Sequence, residues 1–77
     1  MKAKKLTPRE TEILQLADAG KSSKMVADIL AISKRTVDAL RCNIYRKLQV
    51  NNILEAVHTA RDLKLIEEKN NFTENQN

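Results

Sequence analysis

Ser33 to Leu48 reads SKRTVDALRCNIYRKL, and two patterns run through it at helical spacing. Val37, Leu40, Ile44 and Leu48 recur at three, four and four residues, which makes one apolar stripe for a core. The opposite side collects Arg35, Asp38, Cys42, Tyr45 and Arg46, with Lys34 and Arg41 at one margin and Ala39 at the other. A helix over 34–48 thus presents a basic, hydrogen-bonding surface on a rigid rod. Such a rod fits the major groove of B-DNA, where base edges are distinguishable, while flanking Arg and Lys reach phosphates. The competing reading is a solvated basic helix of a small bundle.

The residues just upstream favour the groove. Ser22 to Leu30 reads as a short helix with Val26, Ala27 and Leu30 inward, followed by Ala31, Ile32 and then Ser33, a good N-cap for the next helix. Two helices joined by so short a turn cross steeply, which is the helix-turn-helix arrangement. Ala27 is small where the helices cross, and Ile32 plugs the turn. On this reading Arg35, Asp38, Ala39 and Cys42 lead the groove face as candidate base contacts. Ser23, Lys24, Lys34, Thr36, Arg41, Arg46 and Lys47 are the candidate phosphate contacts, Thr36 from the first turn of its helix, where free amides favour an anion.

Composition bounds the function. Seventy-seven residues allow one small domain, an all-helical bundle of local contacts and not an enzyme with a deep pocket. The formal charge of +4 is uneven: residues 1–47 carry eleven Lys or Arg against five acids, and residues 48–77 carry three against five. The balance of +6 therefore sits with the helix-turn-helix, as a polyanionic partner requires. A single cysteine excludes an internal disulfide and agrees with a reducing cytoplasm. No apolar run approaches the roughly 20 residues of a membrane span, and MKAKK leads into no signal core. The chain reads as a soluble cytoplasmic protein, associated with the nucleoid when bound.

In chain order, residues 1–5 form a basic arm, 6–66 the folded domain and 67–77 a polar tail expected to be disordered. Leu6-Thr7-Pro8-Arg9-Glu10 is a dense helix start: Thr7 caps, Pro8 suits the first turn and Glu10 completes a capping box. Ile13, Leu14, Leu16 and Ala17 form the buried face of that helix, Glu12, Gln15 and Asp18 its wet face, and Gly20, the chain's one glycine, ends it. Ser22 caps the second helix, with Met25 where a Glu would complete a second box. Asn51 or Asn52 caps a fourth helix running to about Leu63, with Ala56, Val57, Ala60 and Leu63 inward. Leu65 and Ile66 close the core. Asn71-Phe72-Thr73 spells a glycosylation sequon by chance.

Taken together, LTPRE, ILQLADAGKSSK, VADILAIS, TV, NIYRKLQV and AVHTA, falling in order from Leu6 to about Ile66, resemble the C-terminal DNA-binding domain of LuxR/FixJ-type (GerE-like) bacterial transcription regulators. The resemblance implies an all-α, four-helix domain in which helix 3 reads the major groove and helix 4 mediates dimerisation on DNA. It also implies base contacts at the two residues after the TV pair and one a turn later, here Asp38, Ala39 and Cys42. Relatives often join this domain to a receiver or ligand-binding domain, so the chain reads as a stand-alone version or as an excised effector domain.

Departures from the family pattern are few. Leu40 replaces a frequent His on the core stripe. Asp38 stands where Lys is frequent, and a carboxylate there accepts from a cytosine amino group, which shifts the target sequence. Ile53 replaces a usual Arg and Lys64 a frequent Gly.

Apolar surface left over on helix 4 suggests a homodimer. Leu54, His58 and Arg61 recur along a second face, bordered by Ile53, which either widens the patch or completes the core. Two-fold pairing there sets two copies of helix 3 into successive grooves. RNA polymerase or another regulator are further candidate partners. Two alternatives stand beside this reading: a promoter-recognition domain of a sigma factor, disfavoured by the short helix 4, and an interaction module that blocks another regulator through helix 4, disfavoured by the basic groove face. Enzymatic function has no support, because His58 and Cys42 fall on different helices with no acid to orient the His. Two potential ligands are too few for zinc, and no metal or cofactor is expected.

Overall fold

The computed structural model describes residues 5–66, and within them the chain is all-α with no strand. Four helices follow in order: α1 (Pro8–Asp18), α2 (Ser23–Leu30), α3 (Lys34–Leu48) and α4 (Ile53–Asp62). The proposed arm, apart from Lys5, and the tail with its Asn71 sequon lie outside the described residues.

Each helix begins on a side chain that takes up a free backbone amide. Thr7 and Glu10 form the complete capping box, at 2.9 and 3.1 Å. Ser22 accepts from the Met25 amide, Ser33 from Thr36 and Asn52 from Glu55. Asn52, not Asn51, is therefore the cap of α4, while the Asn51 amide donates to the Glu55 carboxylate at 2.9 Å.

The helix ends repeat one device. At each, a left-handed residue lets the next amide reach back five residues: Lys21 to Leu16, Ile32 to Ala27, Val50 to Tyr45 and Leu65 to Ala60, at 2.8–3.0 Å. These bonds take up carbonyls that the helix leaves open. The left-handed residues are Gly20, Ala31, Gln49 and Lys64. Only the first is glycine, so only there was the left-handed conformation legible, although the apolar periodicity placed the other ends.

All four helices supply the core: Ile13 and Leu14 from α1, Val26 and Ala27 from α2, Val37 and Ile44 from α3, Ala56, Val57 and Ala60 from α4, closed by Ile66. α1 packs on the other three helices, and α3 lies against α2 and α4 as well. Ala56 and Ala60, both fully buried, let α4 approach closely. Leu40 and Leu48 are half-buried against this core, as their stripe predicts, and Ile32 packs there from the turn.

Four expectations are corrected. Leu63 does not face inward but is 56% exposed, because α4 stops at Asp62 and the chain turns away at its cap. Leu65 is exposed too, leaving Ile66 to close the core alone. Tyr45 leaves the outward face of α3 and leans half-buried on the core. Asp18 is not wet: its side chain is 4% exposed and forms an ion pair with Arg61.

Candidate nucleic-acid interface

The turn between α2 and α3 is Ala31, Ile32 and Ser33. Ala31 ends α2 in the left-handed region, Ile32 drops onto the core and Ser33 caps α3, whose hydroxyl also bonds Thr36 at 2.9 Å. A three-residue turn fixed at each position holds the two helices at one crossing. Ala27, 5% exposed, sits in that packing.

On α3 the side chains sort into adjacent stripes. Arg35, Ala39, Cys42 and Arg46 recur at four, three and four residues, all exposed, on the side opposite Val37 and Ile44. Beside them Lys34, Asp38, Arg41 and Tyr45 repeat the same spacing, and this stripe is bonded internally. Lys34 donates to Asp38 at 2.9 Å, and Arg41 donates through Nε to the Tyr45 hydroxyl at 3.1 Å and through a terminal nitrogen to Ser23 of α2. The Lys34 ammonium, and with it Ser23 and Arg41, holds the Asp38 carboxyl below its usual range.

The four candidate base contacts are thus all exposed on α3, three on the outermost stripe and Asp38 at its edge. Among the candidate phosphate contacts, Lys24, Lys34, Thr36 and Arg46 are exposed, while Ser23 and Arg41 are half-buried and bonded to each other. Among the described residues Lys24, Arg35 and Arg46 form no ion pair, though Arg46 donates to the Asn43 side chain.

Lys47 departs from the expected set. Its ammonium lies 2.7 Å from the Glu10 carboxylate and 3.2 Å from the Lys5 carbonyl, between α1 and the end of α3. That pairing turns its ammonium toward α1. Burial alone would raise the Glu10 pKa, but hydrogen bonds from Lys47 and Thr7 outweigh it and leave the carboxyl below its ordinary value. Sequence reasoning missed this pair because its members are 37 residues apart, and each has a sufficient local reading as cap or surface cation.

On α4 the second face is narrower than expected. Leu54 is 71% exposed and His58 is exposed, but Ile53 packs on the core and Arg61 is committed to Asp18. The Arg61 Nε is buried without a partner, which fits a side chain drawn inward for its ion pair. Cys42 and His58 are both exposed, on different helices. Among the described residues no group of three or more His, Cys, Asp or Glu is placed to hold a metal, and no helix is long and apolar enough to cross a membrane.

Comparisons with known proteins bear on this arrangement. Residues 4–60 match the model of the GerE domain, described as bacterial regulatory proteins of the luxR family. The chain is 47% identical over 55 residues to the uncharacterized response regulatory protein YgeK of Escherichia coli, covering 71% of this chain and 37% of that protein. It is 38% identical over 55 residues to the transcriptional regulatory protein FixJ of Bradyrhizobium diazoefficiens, covering 71% of this chain and 27% of FixJ. The chain thus spans only about a quarter to a third of such relatives. Among solved structures, the transcription factor GerE superposes with a TM-score of 0.77 at 34% identity, covering 80% of this chain and 92% of that one. The response regulator ChrA of a heme-sensing two-component system superposes with a TM-score of 0.81 at 39% identity, covering 86% of this chain and 33% of that one. With its four helices, its short turn and its exposed basic third helix, the chain belongs to the LuxR family of bacterial regulatory proteins, a family of DNA-binding transcription regulators and not of enzymes.

Proposed function

We propose that residues 6–66 bind double-stranded DNA in a sequence-specific manner, with α3 in the major groove. The observation that carries this is the outermost stripe of α3: two guanidinium groups, Arg35 and Arg46, flank the small residues Ala39 and Cys42 on the side opposite the core. Small residues at the centre allow close approach to base edges, and an Arg fork is suited to guanine or phosphate. Asp38, at the edge of that stripe, accepts from a cytosine amino group. Lys24, Lys34 and Arg46, with the first-turn amides and Thr36, meet the backbone. Two copies pair through Leu54 and His58 when bound to adjacent half-sites. The arm of residues 1–5 adds positive charge, and the site of action is the cytoplasm.

Selecting bound sequences from a random DNA pool tests the reading directly. A defined motif is expected, and Arg35→Ala is expected to relax one base pair of it, at a cost of about 1–3 kcal/mol. Affinity falls with salt at a log-log slope of about −0.9 per phosphate neutralised. A flat salt response with no enriched motif refutes DNA as the partner.

A further inference from the structure

α2 is held to α3 at both of its ends. At its C-terminal end the turn of Ala31, Ile32 and Ser33 joins the two helices directly. At its N-terminal end Ser23, its first residue, accepts through Oγ from a terminal nitrogen of Arg41, which stands at the middle of α3. The same guanidinium donates through Nε to the Tyr45 hydroxyl at 3.1 Å, one turn further along α3. The donors of a guanidinium are rigidly related, so two bonds fix both its plane and its reach. Ser23, Arg41 and Tyr45 are all half-buried. Arg41 thus spans the two helices as a strut between hydroxyls. Lys24, next to Ser23, is by contrast exposed and forms no ion pair among the described residues.

We propose that Arg41 is a positioning residue for the phosphate contact of Lys24, its bonds to Ser23 and Tyr45 holding the first turn of α2 in register with α3 on DNA. The proposal rests on the DNA-binding reading given above. α2 has eight residues, a length of about 12 Å. Pivoted only at its turn, it carries its first residues aside by about 2 Å in a swing of about 10°. A charge-assisted hydrogen bond to phosphate spans only about 2.7–2.9 Å. After such a swing Lys24 either leaves its phosphate or holds it by giving up rotamer freedom. The strut removes that swing, and the tie to Tyr45 keeps the guanidinium itself from turning. Arg41 thereby serves the DNA contact from within the protein, although its own charge is the feature that suggests a phosphate ligand.

The test is the salt dependence of binding to a DNA duplex selected by the wild type, with every variant checked for helicity. Lys24→Ala is expected to lower the log-log slope by about 0.9. Ser23→Ala removes no charge, so a merely structural role leaves the slope unmoved; here it is expected to fall by the same amount. Ser23→Thr keeps the hydroxyl and the slope. Arg41→Met combined with Lys24→Ala is expected to lose about 0.9 in all, against about 1.8 if Arg41 were itself a phosphate ligand. Should Ser23→Ala fail to fold, Tyr45→Phe, which loosens the strut from its α3 side without a change of charge, carries the same expectation. An unchanged slope in Ser23→Ala or Lys24→Ala, or the additive loss in the double variant, overturns the positioning role alone. A flat salt response of the wild type overturns it together with the DNA-binding reading.

Discussion

Glu10 is a buried acid, its side chain 3% exposed, and Lys47 meets it with 21% exposure of its own. Removing one partner of such a pair strands the other. For a fully buried pair that costs about 3–5 kcal/mol. Lys47 retains some water, so Lys47→Met is expected to lose about 2–3 kcal/mol in urea unfolding. Because Lys47 faces α1, the same variant leaves the salt slope of DNA binding unchanged, whereas Arg46→Ala reduces it by about 0.9. Acid titration gives a second check. The Glu10 pKa is lowered in the folded state, so its contribution is complete above the ordinary value of 4.5 and fades as pH falls through the folded value. Glu10→Gln keeps the cap but not the charge. Its stability deficit is therefore expected at neutral pH and lost in acid, as paired melts at both would read. None of this was legible in the sequence, where Glu10 is complete as half of a capping box and Lys47 is an ordinary helix-end cation. Pairs separated by 37 and 43 residues leave no local mark.

Helix bounds were readable at both ends, but the left-handed turn that closes each end was not, for a reason of chemistry. A cap is a side chain within three residues of its amide, so Thr7, Ser22 and Ser33 announce themselves. An end needs only a left-handed residue, and Ala31, Gln49 and Lys64 carry no sign of it. L-residues resist that conformation by about 1–2 kcal/mol. Ala31→Gly and Lys64→Gly are therefore expected to stabilise the fold by about 0.5–1 kcal/mol each after the greater freedom of unfolded glycine is deducted, seen as a raised urea midpoint with unchanged slope. The inward face of α4 was half legible: Ala56, Val57 and Ala60 recur at helical spacing, but where the helix stops decides whether Leu63 joins them. On the other face Leu54→Glu is expected to leave stability within about 0.5 kcal/mol, since Leu54 is largely exposed. Single half-site binding then survives while cooperative binding to a paired site disappears. Retained cooperativity in gel-shift titrations excludes α4 as the pairing face.

Across the whole domain, the fold class and the exposed basic face of α3 were legible because both follow from short-range periodicity, apolar on one side of α3 and basic on the other. The charge tally was legible only as a total. Of the cations credited to the groove, Lys47 is turned to α1 and Lys34 is paired with Asp38; both acids are already counted in the +6 balance of residues 1–47, so the pairings change where that charge lies and not its size. The ion pairs also give α1 a particular standing. Glu10 near its start is held by the end of α3, and Asp18 at its last residue by Arg61 of α4. During synthesis the chain emerges N-terminus first. Within this domain α1 thus has ion-pair partners 37 and 43 residues downstream, and its pairing with Arg61 cannot form until α4 has been made. A fragment ending at residue 50 is expected to exchange its α1 amides rapidly in hydrogen-exchange measurements, where the 77-residue chain protects them. Translation through α4 is the event that completes the ion pairs of α1.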